Sequence, residues 1–93
     1  MKIVFFETEN WEKEYLLSKL SGIEAVFFEE MLTPENMDEA KGFEIISPFI
    51  YSMMDEKILP NLPELKFIQT RSTGFDHINL ASAKEKNILV SNV

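Results

Sequence analysis

The sequence predicts an α/β domain built as a doubly wound parallel sheet. Three observations carry this expectation: short β-branched and aromatic runs recur along 93 residues, helix-spaced apolar residues separate them, and Gly, Pro or a capping residue marks the junctions. Five strands and four helices in strict alternation favour right-handed crossovers. The simplest such arrangement is the flavodoxin-like strand order 2-1-3-4-5.

Each element follows from local chemistry. Residues 2–7 form a continuous β-branched and aromatic run, suited to a strand buried on both faces. Trp11, Tyr15, Leu16 and Leu20 recur at helical spacing, with Thr8 or Asn10 as N-cap and Gly22 just beyond the end. Residues 25–28 give the second strand. Thr33 and Pro34 open a short second helix, Met37 and Ala40 supply its narrow apolar side, and Gly42 stops it. Residues 43–49 form the third strand, with Pro48 at its terminus. Ser52 and Asp55 have the spacing of a capping box for a third helix carrying Ile58, Leu59 and Leu62, which Pro60 and Pro63 interrupt. Residues 65–70 are the fourth strand. Asn79 caps a fourth helix over residues 80–86, Asn87 takes the left-handed position after it, and residues 88–93 are the fifth strand.

Composition bounds the function. A hydrophobic share of 45% supports one core, and 27% charged residues support a wet surface. The absence of Cys argues against a disulfide-stapled secreted scaffold and places the expectation in the cytoplasm. A formal charge of −7 disfavours nucleic acid and anionic membrane as partners. The apolar runs are too short to span a bilayer, and the N-terminal run leads into acidic residues rather than a signal cleavage site. Glu29, Glu30 and the acidic residues between 35 and 39 lack His or a closed ligand spacing, so they read as a solvated face and no metal site is expected.

The chemistry concentrates in one loop, Arg71-Ser72-Thr73-Gly74-Phe75-Asp76-His77-Ile78-Asn79, at the carboxyl end of the fourth strand. In open parallel sheets, ligands bind at such ends because backbone N–H groups point outward there. Thr73 and Gly74 are the candidate anion-binding amides, since Gly lets the backbone approach a ligand closely. Taken alone, the loop reads first as a strand-to-helix turn that needs Gly sterically. Ser72 could add a hydroxyl donor. Arg71 reads as a surface or interdomain ion pair, Asp76 as an Asx turn or cap, and His77 as a loop residue at a cleft. Phe49 and Tyr51 end the third strand on the same rim. Met53 and Met54 read as core.

The motif RSTGFDHIN, followed by a short helix with Lys84-Glu85-Lys86 and then ILVSNV, resembles the end of the N-terminal substrate-binding domain of the NAD-dependent D-2-hydroxyacid dehydrogenases, close to their D-lactate dehydrogenase branch. Residues 1–64 agree in the order of elements only. Asn79 departs from the Asp more usual in the family, and both residues cap helices. The resemblance implies a domain that supplies substrate contacts from Thr73 and Gly74, with Ser72 and Tyr51 next in weight, for reversible reduction of a 2-keto acid to a D-2-hydroxy acid. It implies NAD as the cofactor of the parent enzyme. The family's catalytic Arg, Glu and His belong to regions downstream, so neither Arg71 nor His77 is expected to be catalytic, and no catalytic residue is expected in this chain.

No G-x-G-x-x-G occurs, so residues 1–93 are expected to be a truncated substrate-binding domain without its dinucleotide-binding partner, inactive alone and binding no NAD. The alternative is a stand-alone flavodoxin-like binding or interaction module without enzymatic activity. The strand order also leaves one sheet face short of a helix. One alternating set, Ile45, Phe67 and Val90 or their neighbours Ile46, Ile68 and Leu89, is expected to face water, and self-association through it follows.

Overall fold

A computed structural model describes residues 1–93. Its order of elements is β1 (Lys2–Phe5), α1 (Asn10–Lys19), β2 (Glu24–Phe27), a 3-10 turn (Met37–Ala40), β3 (Ile45–Ser47), a second 3-10 turn (Leu59–Asn61), β4 (Phe67–Gln69), α2 (Leu80–Glu85) and β5 (Leu89–Ser91). The five strands form one sheet in the order β2-β1-β3-β4-β5, every pair parallel. The predicted topology therefore stands.

The expectation of four helices does not. Only α1 and α2 are α-helical, and the second and third predicted helices are single 3-10 turns. In the second segment Thr33 to Asn36 close a separate turn, the Asn36 N–H donating to the Thr33 carbonyl and Asn36 Oδ1 accepting from the Thr33 N–H, so only Met37–Ala40 winds after it. In the third segment Pro60 has no N–H to donate and restricts Leu59, so one short turn is all that forms. The predicted capping box at Ser52 and Asp55 is absent. Ser52 instead donates to Glu7 and accepts from the Leu32 N–H, while the Asp55 carbonyl accepts from Ile58 and Leu59.

The N-cap of α1 is Glu9, neither Thr8 nor Asn10. Its N–H donates to the Glu12 carboxylate at 3.1 Å, which supplies the reaching-back half of a capping box. Thr8 is drawn away because its hydroxyl and N–H both donate to the Phe28 carbonyl. Asn79 caps α2 as expected, accepting from the Ser82 N–H at 3.0 Å, and Asn87 follows at φ +59°.

Register decides which side chains share a face. Val26, Val4, Ile46, Ile68 and Val90 lie in one row across the sheet. With Phe6, Leu32, Met54, Ile58, Leu59, Leu62, Ile78 and Ala83 they make a single core beneath the 3-10 turns and α2. Met53 is exposed, so of the two methionines assigned to core only Met54 belongs there.

The opposite face carries Ala25, Ile3, Ile45, Phe67 and Leu89. Leu89 and not Val90 therefore joins Ile45 and Phe67, correcting the pairing expected at the fifth strand. Ile45 and Phe67 are half-buried and Leu89 is 67% exposed. The only helix on this face is α1, none of whose residues is buried; of the residues at helical spacing, Trp11 and Tyr15 are largely exposed. Leu16 and Leu20 are half-buried, and polar contacts add to what holds α1. Arg71 donates to Glu12 at 2.8 Å and to the Phe6 carbonyl, and its guanidinium lies over the Phe5 ring, which stacks on Phe27.

Candidate functional site at the carboxyl edge of the sheet

The carboxyl ends of β1, β3 and β4 converge on one edge, as their parallel register requires. Two features share it, the loop after β4 and an open cleft beside it. In the loop, residues 72–74 have their carbonyls tied down. The Val93 N–H donates to Ser72 O at 3.0 Å, Asn92 Nδ2 to Thr73 O at 2.6 Å, and Ser72 Oγ to Gly74 O at 2.6 Å. The N–H groups of residues 72–77 donate to no protein acceptor. Thr73 and Gly74 are exposed. With these acceptors occupied and the donors left over, the loop offers N–H groups that suit a small anion.

Gly74 is informative for what it does not need. A Cβ built on it meets nothing within 4 Å, and its φ lies outside the left-handed region occupied by Gly22 and Gly42. Neither turn sterics nor neighbouring atoms of this chain call for glycine. The turn that needs Gly sterically thus loses its support, and open space for an approaching ligand is what remains.

Proton counting orders the interior of the loop. Thr70 Oγ1 lies 2.7 Å from Ser72 Oγ and 2.9 Å from His77 Nε2. Ser72 donates its hydroxyl proton to Gly74 O, so Thr70 donates to Ser72, with the Pro48 carbonyl a more distant acceptor at 3.4 Å, and the Thr70 oxygen accepts from His77 Nε2–H. The chain His77 to Thr70 to Ser72 to Gly74 O uses each proton once. All three side chains are buried. Ser72 is therefore committed inward and is not a free hydroxyl donor. Burial lowers the His77 pKa below the ordinary 6.5, against the opposing pull of the Glu7 and Asp76 charges, which favours the neutral ring. His77 is a loop residue as expected, and it packs buried inside the loop. Asp76 is exposed and forms no hydrogen bond, so neither the Asx turn nor the cap expected of it is made.

The cleft, about 950 Å³, is lined by Glu7, Trp11, Phe49, Tyr51 and Arg71 among others. Arg71 bridges the two features in sequence, but its hydrogen bonds go to Glu12, Ser47 Oγ and main-chain carbonyls of its own domain. It is an intradomain staple, where the sequence suggested a surface or interdomain pair. Tyr51 stands 67% exposed on the rim and Phe49 is exposed as well; Thr73 and Gly74 are not among the residues that line the cleft.

Sequence reasoning missed Glu7. It sits at φ +61°, a backbone position costing a non-glycine residue about 1–2 kcal/mol. Its carboxylate accepts from the N–H groups of Phe49, Tyr51 and Ser52 and from Ser52 Oγ. No residue pattern near position 7 announces a left-handed Glu. Asn92 was missed equally, because its contact with Thr73 spans 19 residues.

No group of three or more metal-ligating side chains is assembled, and no helix is long and apolar enough to cross a membrane. The three glycines, at 22, 42 and 74, are too far apart to form a phosphate-cradling loop, so these residues do not fit the pyrophosphate of NAD.

Residues 3–93 match the family described as D-isomer specific 2-hydroxyacid dehydrogenase, catalytic domain. A D-lactate dehydrogenase of Staphylococcus aureus is 32% identical over 96 residues, covering 99% of this chain and 29% of the relative. One from Escherichia coli is 30% identical, covering all of this chain and 30% of the relative. Among solved structures, the apo D-lactate dehydrogenase of Escherichia coli superposes with a TM-score of 0.92 at 30% identity, over all of this chain and 31% of that one. The Aquifex aeolicus D-lactate dehydrogenase complexed with NAD and lactic acid gives 0.90 at 32% identity, over 98% and 27%. The chain thus spans less than a third of the relatives it matches. It belongs to the D-isomer specific 2-hydroxyacid dehydrogenase family, within the catalytic domain.

Proposed function

We propose that this chain is the substrate-binding domain of an NAD-dependent D-2-hydroxyacid dehydrogenase that interconverts a 2-keto acid and a D-2-hydroxy acid. The observation that carries the reading is the loop at residues 72–74, whose carbonyls are all bonded while the Thr73 and Gly74 N–H groups have no protein acceptor. Those amides hold the substrate carboxylate. Ser72, Thr70 and His77 fix the loop behind them, and Tyr51 walls the side of the pocket. Binding an anion on neutral amides suits a domain of net charge −7, because the local field of N–H dipoles acts where the overall charge would repel.

The nicotinamide supplies hydride when bound, and a dinucleotide-binding domain elsewhere in the longer protein holds it. This chain orients the 2-keto acid by its carboxylate and shields one side of it. By itself it is proposed to be inactive and to bind no NADH. We place the enzyme in the cytoplasm, with no nucleic-acid or membrane partner. The test compares the full-length protein with the 93-residue chain for NADH oxidation in the presence of pyruvate. Turnover by the first and none by the second is the expected result; turnover by the pure 93-residue chain, or none by the full-length protein with any 2-keto acid, overturns the reading.

A further inference from the structure

We propose that Glu7 is a specificity-positioning residue, setting the size of 2-keto acid the enzyme accepts by clamping the loop that carries Phe49 and Tyr51; this rests on the substrate-binding reading above. Residues 48–53 contain no helix or strand, and three consecutive side chains, Phe49, Ile50 and Tyr51, are exposed. Such a segment has little packing of its own to define where its aromatic rings stand. Within it Pro48 and Ser52 are buried, and the Pro48 carbonyl accepts from the Arg71 N–H; between them the exposed residues are held by one carboxylate. Glu7 Oε2 accepts from Phe49 N at 3.1 Å, Ser52 N at 3.0 Å and Ser52 Oγ at 2.6 Å, while Oε1 accepts from Tyr51 N at 2.9 Å. Ser52 passes the restraint on by accepting from the Leu32 N–H at 2.9 Å.

Two independent facts mark the arrangement as more than a turn. The carboxylate gathers four donors from a loop more than 40 residues away, and it does so from a backbone at φ +61°, where glycine is the unstrained choice. Both rings and Glu7 itself line the cleft. A shift of Tyr51 therefore changes the width available to a substrate side chain, and leaves the Thr73–Gly74 amides where they are.

Glu7→Gly removes the acceptor while suiting the backbone, so the fold is retained; Glu7→Gln keeps the shape with weaker acceptance. The experiment is steady-state kinetics of the full-length protein with pyruvate and with phenylpyruvate, together with amide exchange at Tyr51 and Ser52. In Glu7→Gly the ratio of kcat/KM for phenylpyruvate over pyruvate is expected to rise by about tenfold, the scale of discrimination an apolar pocket wall provides. Glu7→Gln should restore most of the wild-type ratio, and exchange at both amides should accelerate in the glycine variant. A ratio unchanged within about twofold, an equal loss for both substrates, or unaccelerated exchange overturns the proposal. A wild-type protein that turns over neither 2-keto acid instead refutes the substrate-binding reading, and shows itself before any variant is made.

Discussion

Gly74 separates binding from folding because nothing in the chain occupies the space a methyl group would take there. Gly74→Ala should stabilise the 93-residue chain by about 0.4–1 kcal/mol through the unfolded state, measured by denaturant midpoint. In the full-length protein the same methyl meets the substrate carboxylate, and kcat/KM for pyruvate should fall by about tenfold or more. A variant that is destabilised, or stabilised with unchanged kinetics, contradicts the assignment. His77 offers a second residue-scale test through pH. Burial lowers its folded pKa below the unfolded 6.5, so below pH 6.5 the unfolded chain binds more protons and stability rises with pH. Stability should be level above about pH 7.5 and decline as pH drops through 6.5 toward the lowered value, before carboxylates titrate. His77→Gln should abolish that decline and change kcat/KM only mildly. Melting temperatures that track the wild type across this window would mean that the ring is not buried neutral. A kinetic loss of several orders of magnitude would make His77 catalytic.

Elements were readable in proportion to how local their causes are. Asn79, the residues after it and Asn87 fall within one short stretch of sequence, and the cap, the helix and the left-handed exit all formed there. Asn79→Ala should cost about 1 kcal/mol and Asn79→Asp close to nothing, checked by thermal unfolding; equal losses in both would mean the side chain does not cap. The two predicted helices that became 3-10 turns show the opposite case, where apolar spacing was present but the Thr33–Asn36 turn and Pro60 interrupted it. Strand order was readable because alternation and crossover handedness leave few topologies. The phase of β5 was not, since a one-residue change in where pairing begins moves Leu89 and Val90 to opposite faces. The candidate loop was readable from its residue types, whereas the carbonyl ties from Asn92 and Val93 and the Glu7 clamp join positions distant in sequence and left no local pattern.

At the scale of the molecule, the two faces of the sheet are unequal. One covers a continuous core; the other carries only α1, none of whose residues is buried, and leaves Ile45, Phe67 and Leu89 partly or largely open. The 93-residue chain is expected to self-associate through this row at micromolar concentration, seen by sedimentation and by binding of a hydrophobe-sensitive dye. Leu89→Lys should shift it toward monomer at little cost to folding, because Leu89 is already exposed. A wild-type monomer that binds no dye would refute the open face. The central claim, that Thr73 and Gly74 hold the carboxylate of a 2-keto acid for reduction, is tested most directly by Gly74→Val in the full-length protein with pyruvate and NADH. A folded variant with NADH affinity retained and kcat/KM for pyruvate reduced by about a hundredfold is the outcome expected when a side chain fills the carboxylate site. Unchanged kinetic constants in a folded Gly74→Val enzyme would contradict it.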